Sequence, residues 1–406
     1  MSYADFVNEA MQQYRSLPYE VNDLYKRYSV SVPLPEETGH GGPERQAGIE
    51  KLVSEISDKT RLKFDAIISD AHSESFNSMI RIIDAESAWE ALEGKLFKSG
   101  ENKLAAYVNG HAKTVVVLDL PDRSNEMFNI LFVNSGNLSV QVLASVGEHA
   151  SLGVSELYYS ASDDGSTMSV LHEVSAAKGS RVELNALHNE NEKTSIVNLC
   201  KVRSAERSKI NANYVYCGGA ATKSVCIMDS NGGSGNIDVM EFAYGSKSQN
   251  FDLNTTVLNS VPYSNTNLNS GVVLDDSSKC MLKGFAKVCE MTKGSCSKIT
   301  ERGILMSKDA HIDALPDMVI DYSNEVKATH SAATAPIDEE ALFYLTSRGL
   351  DENKARKLFV AAFIAKYISA IQNPAMKEIA MSVALDKLDT KSFGVVSDIT
   401  PRGIWA

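Results

Sequence analysis

Thr114-Val115-Val116-Val117-Leu118, Ile130-Leu131-Phe132-Val133 and Val140-Gln141-Val142-Leu143 set the character of the middle of the chain. Each is a short apolar run rich in β-branched or aromatic residues, and Gly, Asn, Ser and Asp punctuate the sequence between such runs. Side chains branched at Cβ lose little freedom when extended and pack well on a pleated surface, so these runs read as strands. Ser195-Ile196-Val197, Val272-Val273-Leu274 and Met318-Val319-Ile320 continue the pattern. Long amphipathic helices are missing from about 104 to about 330, so a mainly β body is expected. A sandwich, a barrel and a β-solenoid all satisfy this pattern. Roughly two hundred residues is long for one sandwich and suits a coil of stacked turns, although no crisp repeat is visible.

The flanks read differently. Phe6, Val7, Ala10, Met11 and Tyr14 mark one helical face with Ser2 as N-cap, and Ile49, Leu52, Val53 and Ile56 mark another behind Gly41-Gly42-Pro43. Ser29 to Pro43 reads as a loop, and Trp89 closes this zone of helices and loops. Beyond the β body, Asp338 caps a helix with Glu339 and Glu340 in its first turn and Leu342, Phe343 and Leu345 as apolar positions. Arg348 and Gly349 end it. Asp351 caps a second helix with Ala355, Leu358, Phe359, Ala362 and Phe363 on one face. Asn373-Pro374 starts a third, with Ile379, Ala380 and Val383 inward. The expected organisation is an N-terminal helical region over 1–95, a β core over 96–335 and a C-terminal helical region over 336–406.

Composition narrows the function. Of 406 residues, 43% are hydrophobic and 23% charged, with 40 Lys and Arg against 52 Asp and Glu, a formal charge of −12. That balance argues against nucleic acid or an anionic membrane as the main partner. Met1-Ser2-Tyr3-Ala4-Asp5 has neither a basic nor an apolar leader segment, and the apolar stretch Leu358 to Ala365 is cut by Lys366, so a soluble, cytoplasmic protein is expected. The six cysteines lie between 200 and 296 without a C-x-x-C, which fits small buried hydrophobes better than a thiolate nest for a metal.

Several stretches resemble catalytic motifs and fail on inspection. Gly218-Gly219-Ala220-Ala221-Thr222-Lys223-Ser224 lacks the Gly before Lys that a phosphate loop needs, and Asn231-Gly232-Gly233-Ser234-Gly235 lacks the dinucleotide spacing; both read as turns between strands. No G-x-S-x-G or H-E-x-x-H occurs, and the eight histidines are scattered.

The stretch from Gly218 to Gly349 carries a specific resemblance. Gln249-Asn250-Phe251-Asp252-Leu253-Asn254-Thr255 is similar to a Q-x-x-D-x-x-T strand, and Asn269-Ser270-Gly271-Val272-Val273-Leu274-Asp275-Asp276 to a K-G-I-L-D-D turn, followed by Lys283-Gly284-Phe285-Ala286. Gly303 to Ala310, Ala314 to Ile320 and Thr329-His330-Ser331-Ala332 match further blocks, and the fourteen positions from Ile337 to Leu350 are close to I-D-E-E-Q-I-F-Y-L-R-S-R-G-I. By these blocks the chain resembles the SufB/SufD family of iron–sulfur cluster assembly scaffolds. The resemblance implies a right-handed parallel β-helix core, C-terminal helices that dock a SufC-type ABC ATPase, and a β-helix that pairs with a SufB/SufD paralogue or with itself. It implies a subunit that is not an enzyme on its own, with a transient iron–sulfur cluster and no permanent cofactor. His330, at the family's S-H-G-A histidine, is the first candidate for a cluster or iron ligand, because neutral imidazole suits iron. His311 is the second. Leu342, Phe343, Tyr344, Arg348 and Gly349 are the candidate partner-binding residues. Ala328 stands where SufD-like chains often carry Cys, Lys308-Asp309-Ala310-His311 lacks the SufB cysteine, and Ser331 replaces the SufB glutamate. These departures place the chain nearer SufD than SufB. The competing expectations are a β-helix carbohydrate-active enzyme and a family member kept for a purely structural role.

Overall fold

Each strand of the middle region pairs with the second strand along the chain and not with the next, which is the signature of a coil seen edge-on. A computed structural model describes residues 2–19, 32, 34–35, 43–88, 98–321 and 325–388. Trp89 and most of the Ser29–Pro43 loop lie outside the described residues, as do residues 389–406.

Two ten-stranded sheets form the body. The first runs through β1 (Ala66–Ser69), β5 (Asn125–Asn134), β7 (Ser151–Ser160), β9 (Arg181–His188), β11 (Lys209–Tyr216), β13 (Asn236–Gly245), β15 (Asn265–Leu274), β17 (Cys296–Leu305) and β20 (Lys327–Pro336), with β2 (Glu74–Ser75) beside β1. The second runs from β3 (Ile80–Asp84) and β4 (Thr114–Leu120) through β6 (Asn137–Val146), β8 (Ser166–Ala176), β10 (Thr194–Ser204), β12 (Ala221–Ser230), β14 (Asn250–Asn259) and β16 (Lys279–Val288). It ends on β18 (His311–Ala314) and β19 (Asp317–Ile320), which both pair with β16. All pairings between successive turns are parallel, and antiparallel pairs occur only where β2 meets β1 and β3 meets β4. The body is therefore a parallel β-solenoid, the outcome the length of the β zone favoured, with turns of about 30 residues.

A stacked corner ladder holds the coil. Arg123, His149, Gly179, Arg207, Ser234, Tyr263, Gly294 and Glu325 all have positive φ, between 58 and 73°. The amides of the first six donate to a carbonyl of the following turn at 2.8–3.3 Å, as His149 N–H does to Lys178 and Gly179 N–H to Glu206. These inter-turn bonds offset the cost of left-handed backbone at non-glycine residues. Only two of the eight positions are Gly, so the repeat is not legible as a glycine period. The residue after four of the eight corners carries a second trace: Ser124, Ser180, Ser208 and Ser264 each donate a hydroxyl to the carbonyl three residues back, at 2.7, 2.6, 2.7 and 2.9 Å.

Helices cover part of the outer face of each sheet, so many strands read as continuous apolar runs, while β13 and β17 keep an alternating start. Ile130 and Phe132 point into the core between the sheets, while Leu131 and Val133 belong to the cluster on the outer face that includes Ile49, Ile56 and the C-terminal helices. Those helices are counted after α1 (Tyr3–Ser16), α2 (Pro43–Thr60) and α3 (Lys103–His111), as α4 (Glu339–Ser347), α5 (Glu352–Ile368) and α6 (Pro374–Lys387). Leu157, Leu187, Val215, Phe242 and Val273 of the first sheet bury against Val360, Ile364, Tyr367, Ile379 and Val383. Tyr14 and Tyr107, on α1 and α3, cover Leu171, Val197 and Leu199 on the outside of the second sheet.

The local punctuation holds where the sequence placed it. Ser2 forms a capping box with Asp5, and the side chains of Asp338, Asp351 and Asn373 accept from first-turn amides. Two expectations are corrected. Residues 66–84, read as helix and loop, hold β1, β2 and β3, because short strands at the end of a coil are ordered by pairing to β5 and β4 and not by their own pattern. The buried stripe of α5 is Ala355, Val360, Ala361, Ile364, Tyr367 and Ile368, and Ala362 is exposed. The helix is apolar on more than one side, so its sheet contacts, not its periodicity, select the face.

The uncovered end of the solenoid as candidate functional site

The first end of the coil is closed by antiparallel strands, and among the described residues the last end is not. β20 is the final strand of its sheet, so its outer edge has no strand partner among the described residues. His330 pairs in register with Ile299 of β17, a core residue, and so occupies a core-side position. With no strand beyond β20 among the described residues, His330, Ala332 and Thr334 are exposed. An imidazole here is accessible to a ligand arriving along the coil axis. His311 is also exposed but lies on β18 in the opposite sheet, with Nε2 3.1 Å from Asp313 Oδ1. Its neighbour Ile312 takes the core position, so the two candidate histidines occupy different faces and are not brought together.

Six residues beyond His330, roughly 20 Å along an extended strand, β20 ends at Pro336 and the chain turns into α4. Phe343 and Tyr344 are 74% and 57% exposed, and the Arg348 guanidinium lies 5.0 Å from the Tyr344 ring centre. Gly349 is exposed as well. Leu342, grouped with them on sequence, is turned into the core. Large exposed aromatics beside a cation are typical of recognition surfaces. Val319 and Ile320 on β19 add exposed apolar surface at the same end of the coil.

Inside the coil runs a polar seam that the sequence did not reveal. The core-side column Glu156, Ala186, Tyr214, Glu241, Ser270, Glu301 and Ala332 climbs the first sheet. Facing it on the second sheet are His172, Cys200, Cys226, Thr255 and Gly284. Bonds cross the core between them. Glu156 Oε2 lies 2.9 Å from His172 Nε2 and accepts from the Tyr158 hydroxyl at 2.8 Å; Thr255 donates to Glu241 at 2.5 Å; Gly284 N–H donates to Glu301 at 2.8 Å. His188 stacks between Tyr158 and Tyr216, with ring centres 4.2 and 5.0 Å away, and its Nδ1 lies 2.8 Å from Glu190. Burial raises the carboxyls of Glu241 and Glu301, the latter to about 8. Only the turn length brings His172 to Glu156, sixteen residues back, whereas His188 meets Glu190 two residues on.

The residues that carried the family resemblance have structural work here. Gln249 donates to the Gly219 carbonyl at 2.6 Å and accepts from Lys387 Nζ at 2.6 Å, joining a turn to α6. Asp252 binds the buried ammonium groups of Lys223 and Lys283 at 2.5 and 3.3 Å. Gly271 lies under the Tyr367 ring, where a Cβ would come within 2.3 Å, and the Tyr367 hydroxyl donates to the Ser270 carbonyl at 3.4 Å. The Gly218–Gly219 and Asn231–Gly235 stretches are turns, between β11 and β12 and between β12 and β13. Cys200, Cys217, Cys226 and Cys280 are buried, as small hydrophobes in a core should be; Cys289 and Cys296 are half-buried. Burial pushes the Cys200 thiol up to about 12 and the Cys217 thiol to about 11, which keeps both protonated and unreactive. Among the described residues no three His, Cys, Asp or Glu side chains converge as a metal-ligand group.

Fold and site together define a parallel β-solenoid with a helical unit docked on one sheet and an accessible, unpaired last turn. Residues 132–363 match the SufBD core domain of the SUF system of FeS cluster assembly, and the chain belongs to that family. It is 25% identical over 174 residues to the iron–sulfur cluster assembly protein SufD of Escherichia coli, covering 43% of this chain and 41% of that one. A SufBD family protein of Mycobacterium leprae is 38% identical over 77 residues, 19% of this chain and 20% of the relative. One from Staphylococcus saprophyticus is 24% identical over 161 residues, 40% and 32% of the two chains. The matches thus span less than half the length of these relatives. Family membership leaves the carbohydrate-enzyme expectation without support. Among the described residues no helix is long and apolar enough to cross a membrane.

Proposed function

We propose that the chain is a SufD-like scaffold subunit of a cytoplasmic iron–sulfur cluster assembly complex and not an enzyme acting alone. The carrying observation is the uncovered last turn, where β20 presents ten residues of strand with an unpaired edge. Such an edge, open among the described residues, is a template for strand addition, and pairing with a partner strand is one way to cover it. The reading assigns that edge to a second SufB/SufD-like chain, a paralogue or another copy. It assigns the exposed Phe343, Tyr344 and Arg348 of the helical unit to a SufC-type ABC ATPase. His330, accessible at the same end, is the candidate contact for a transient cluster, which is cargo and not a resident cofactor.

Co-purification of the full chain with a SufC-type ATPase tests the docking assignment. Substituting Phe343→Ala together with Tyr344→Ala should abolish capture while leaving the circular dichroism spectrum unchanged, since both side chains are exposed. Undiminished capture removes the assignment. His330→Ala should fold normally yet lower cluster yield in the anaerobically reconstituted complex, and equal yield removes its role. Iron and sulfide analysis after anaerobic purification separates this reading from a family member with a purely structural role.

A further inference from the structure

We propose that Glu301 is a proton-operated latch of the last turn: the closed turn of β18 to β20 holds its carboxyl as the neutral acid, and opening the turn releases that proton. The geometry of its seat carries this inference. Glu301 is 0% exposed on the core side of β17, one turn below the uncovered end. Its Oε1 accepts from Gly284 N–H at 2.8 Å, and its Oε2 has no hydrogen-bond partner among the described residues. The seat is built for a carboxyl, because a Cβ at Gly284 would stand 2.8 Å from Oε1. On the open side the registered residue is Ala332, which offers a methyl and no donor.

Among the described residues no cation forms an ion pair with the Glu301 carboxyl, whose surroundings act on it through burial, the Gly284 N–H and Glu241. On the core side of the elements packed around it the titratable groups are Glu241 of β13, Cys280 of β16 and His330 of β20, while Lys283 of β16 and Asp313 of β18 alternate to the outer face. The Lys283 ammonium is engaged by Asp252, and Arg302, on the same strand, is turned outward to Ser331. Burial first, and the charge of Glu241 with it, raise the Glu301 carboxyl to about 8 against the lowering effect of the Gly284 N–H. Opened to water, the same carboxyl takes the ordinary glutamate value of about 4.3. The sign follows from proton linkage. Between those two values the closed turn holds one proton more than the open turn, so the open fraction rises about tenfold per pH unit and levels off above about 8.

Hydrogen exchange of the β20 and β18 amides, measured by mass spectrometry on the full chain from pH 6 to 8, tests the latch. At each pH the wild type is compared with Glu301→Gln, which keeps the acceptor for Gly284 and cannot ionise, so the intrinsic pH dependence of exchange cancels. The wild-type to variant ratio of opening should climb about tenfold per pH unit, and Glu301→Leu should give the same slope whatever its own stability. A ratio that stays level across that range overturns the proposal. Infrared difference spectra at pH 7 provide the second measurement: a protonated-carboxyl band present in wild type and missing from Glu301→Gln is expected, and its absence from wild type also overturns it. The test uses neither partner nor cluster, so its failure leaves the scaffold reading untouched.

Discussion

Replacing Gly271 by Ala should detach the helical unit from the solenoid. The added Cβ would stand 2.3 Å from two Tyr367 ring atoms and 2.6 Å from a third, against an ordinary contact of 3.4–4 Å. The ring cannot retreat freely, since it is 2% exposed and stacked 5.9 Å from Phe242, with Phe363 at 5.0 Å. Overpacking of a tight site costs about 1–3 kcal/mol, and an overlap of this depth belongs at about 3. Tyr367→Ala alone removes a buried ring, at a further 3 kcal/mol or so. If the two side chains were independent the double variant would lose about 6 kcal/mol. If the clash is the cause, removing the ring abolishes it, and the double variant loses only about 3 kcal/mol, a coupling of about 3. Urea unfolding followed by circular dichroism measures all four corners of this cycle, and trypsin cleavage within α5 and α6 reports the detachment directly. Additive losses, or a Gly271→Ala variant within about 0.5 kcal/mol of wild type, would refute the reasoning.

Three further outcomes are expected. Glu156→Ala leaves the buried Tyr158 hydroxyl and His172 Nε2 only their mutual 3.4 Å contact and should lower unfolding free energy by about 2 kcal/mol, against no more than about 0.5 for an exposed carboxylate such as Glu9. Thiol labelling of the native chain should modify Cys289 and Cys296 rapidly and the other four only on unfolding; fast reaction of a third thiol contradicts the assigned burial. Lys387 donates to the carbonyls of Cys217 and Tyr244 and to Gln249, yet burial lowers its ammonium to about 8 from 10.5. A folded value below the unfolded one means the penalty is complete below pH 8 and fades as pH rises towards 10.5. Wild-type stability should therefore gain on Lys387→Met across that window, and parallel pH profiles would contradict the buried ammonium.

Legibility followed the range of the interactions. Caps at Ser2, Asp338, Asp351 and Asn373 were readable because the donor amides lie two or three residues away. The β character of 114–320 was readable because branched side chains declare it locally. The inward face of α5 was not, since a helix apolar on more than one side takes its orientation from what it meets, here Phe242 and Gly271. His330 stood out by its place in a motif; Glu301 did not, because an isolated Glu in a strand looks solvent-facing until its neighbours on adjacent turns are known.

Taken alone, the sequence determined that the chain is a β body with capped C-terminal helices and a place in the SufB/SufD family. Only the tertiary structure decided which residues share a turn. Parallel pairing joins positions about 30 residues apart through backbone bonds that carry no side-chain label, and six of the eight corners that set this spacing have ordinary residues in left-handed backbone. The Glu156–His172 pair, the seat of Glu301 and the exposure of His330 all follow from that lateral register, which no local pattern encodes.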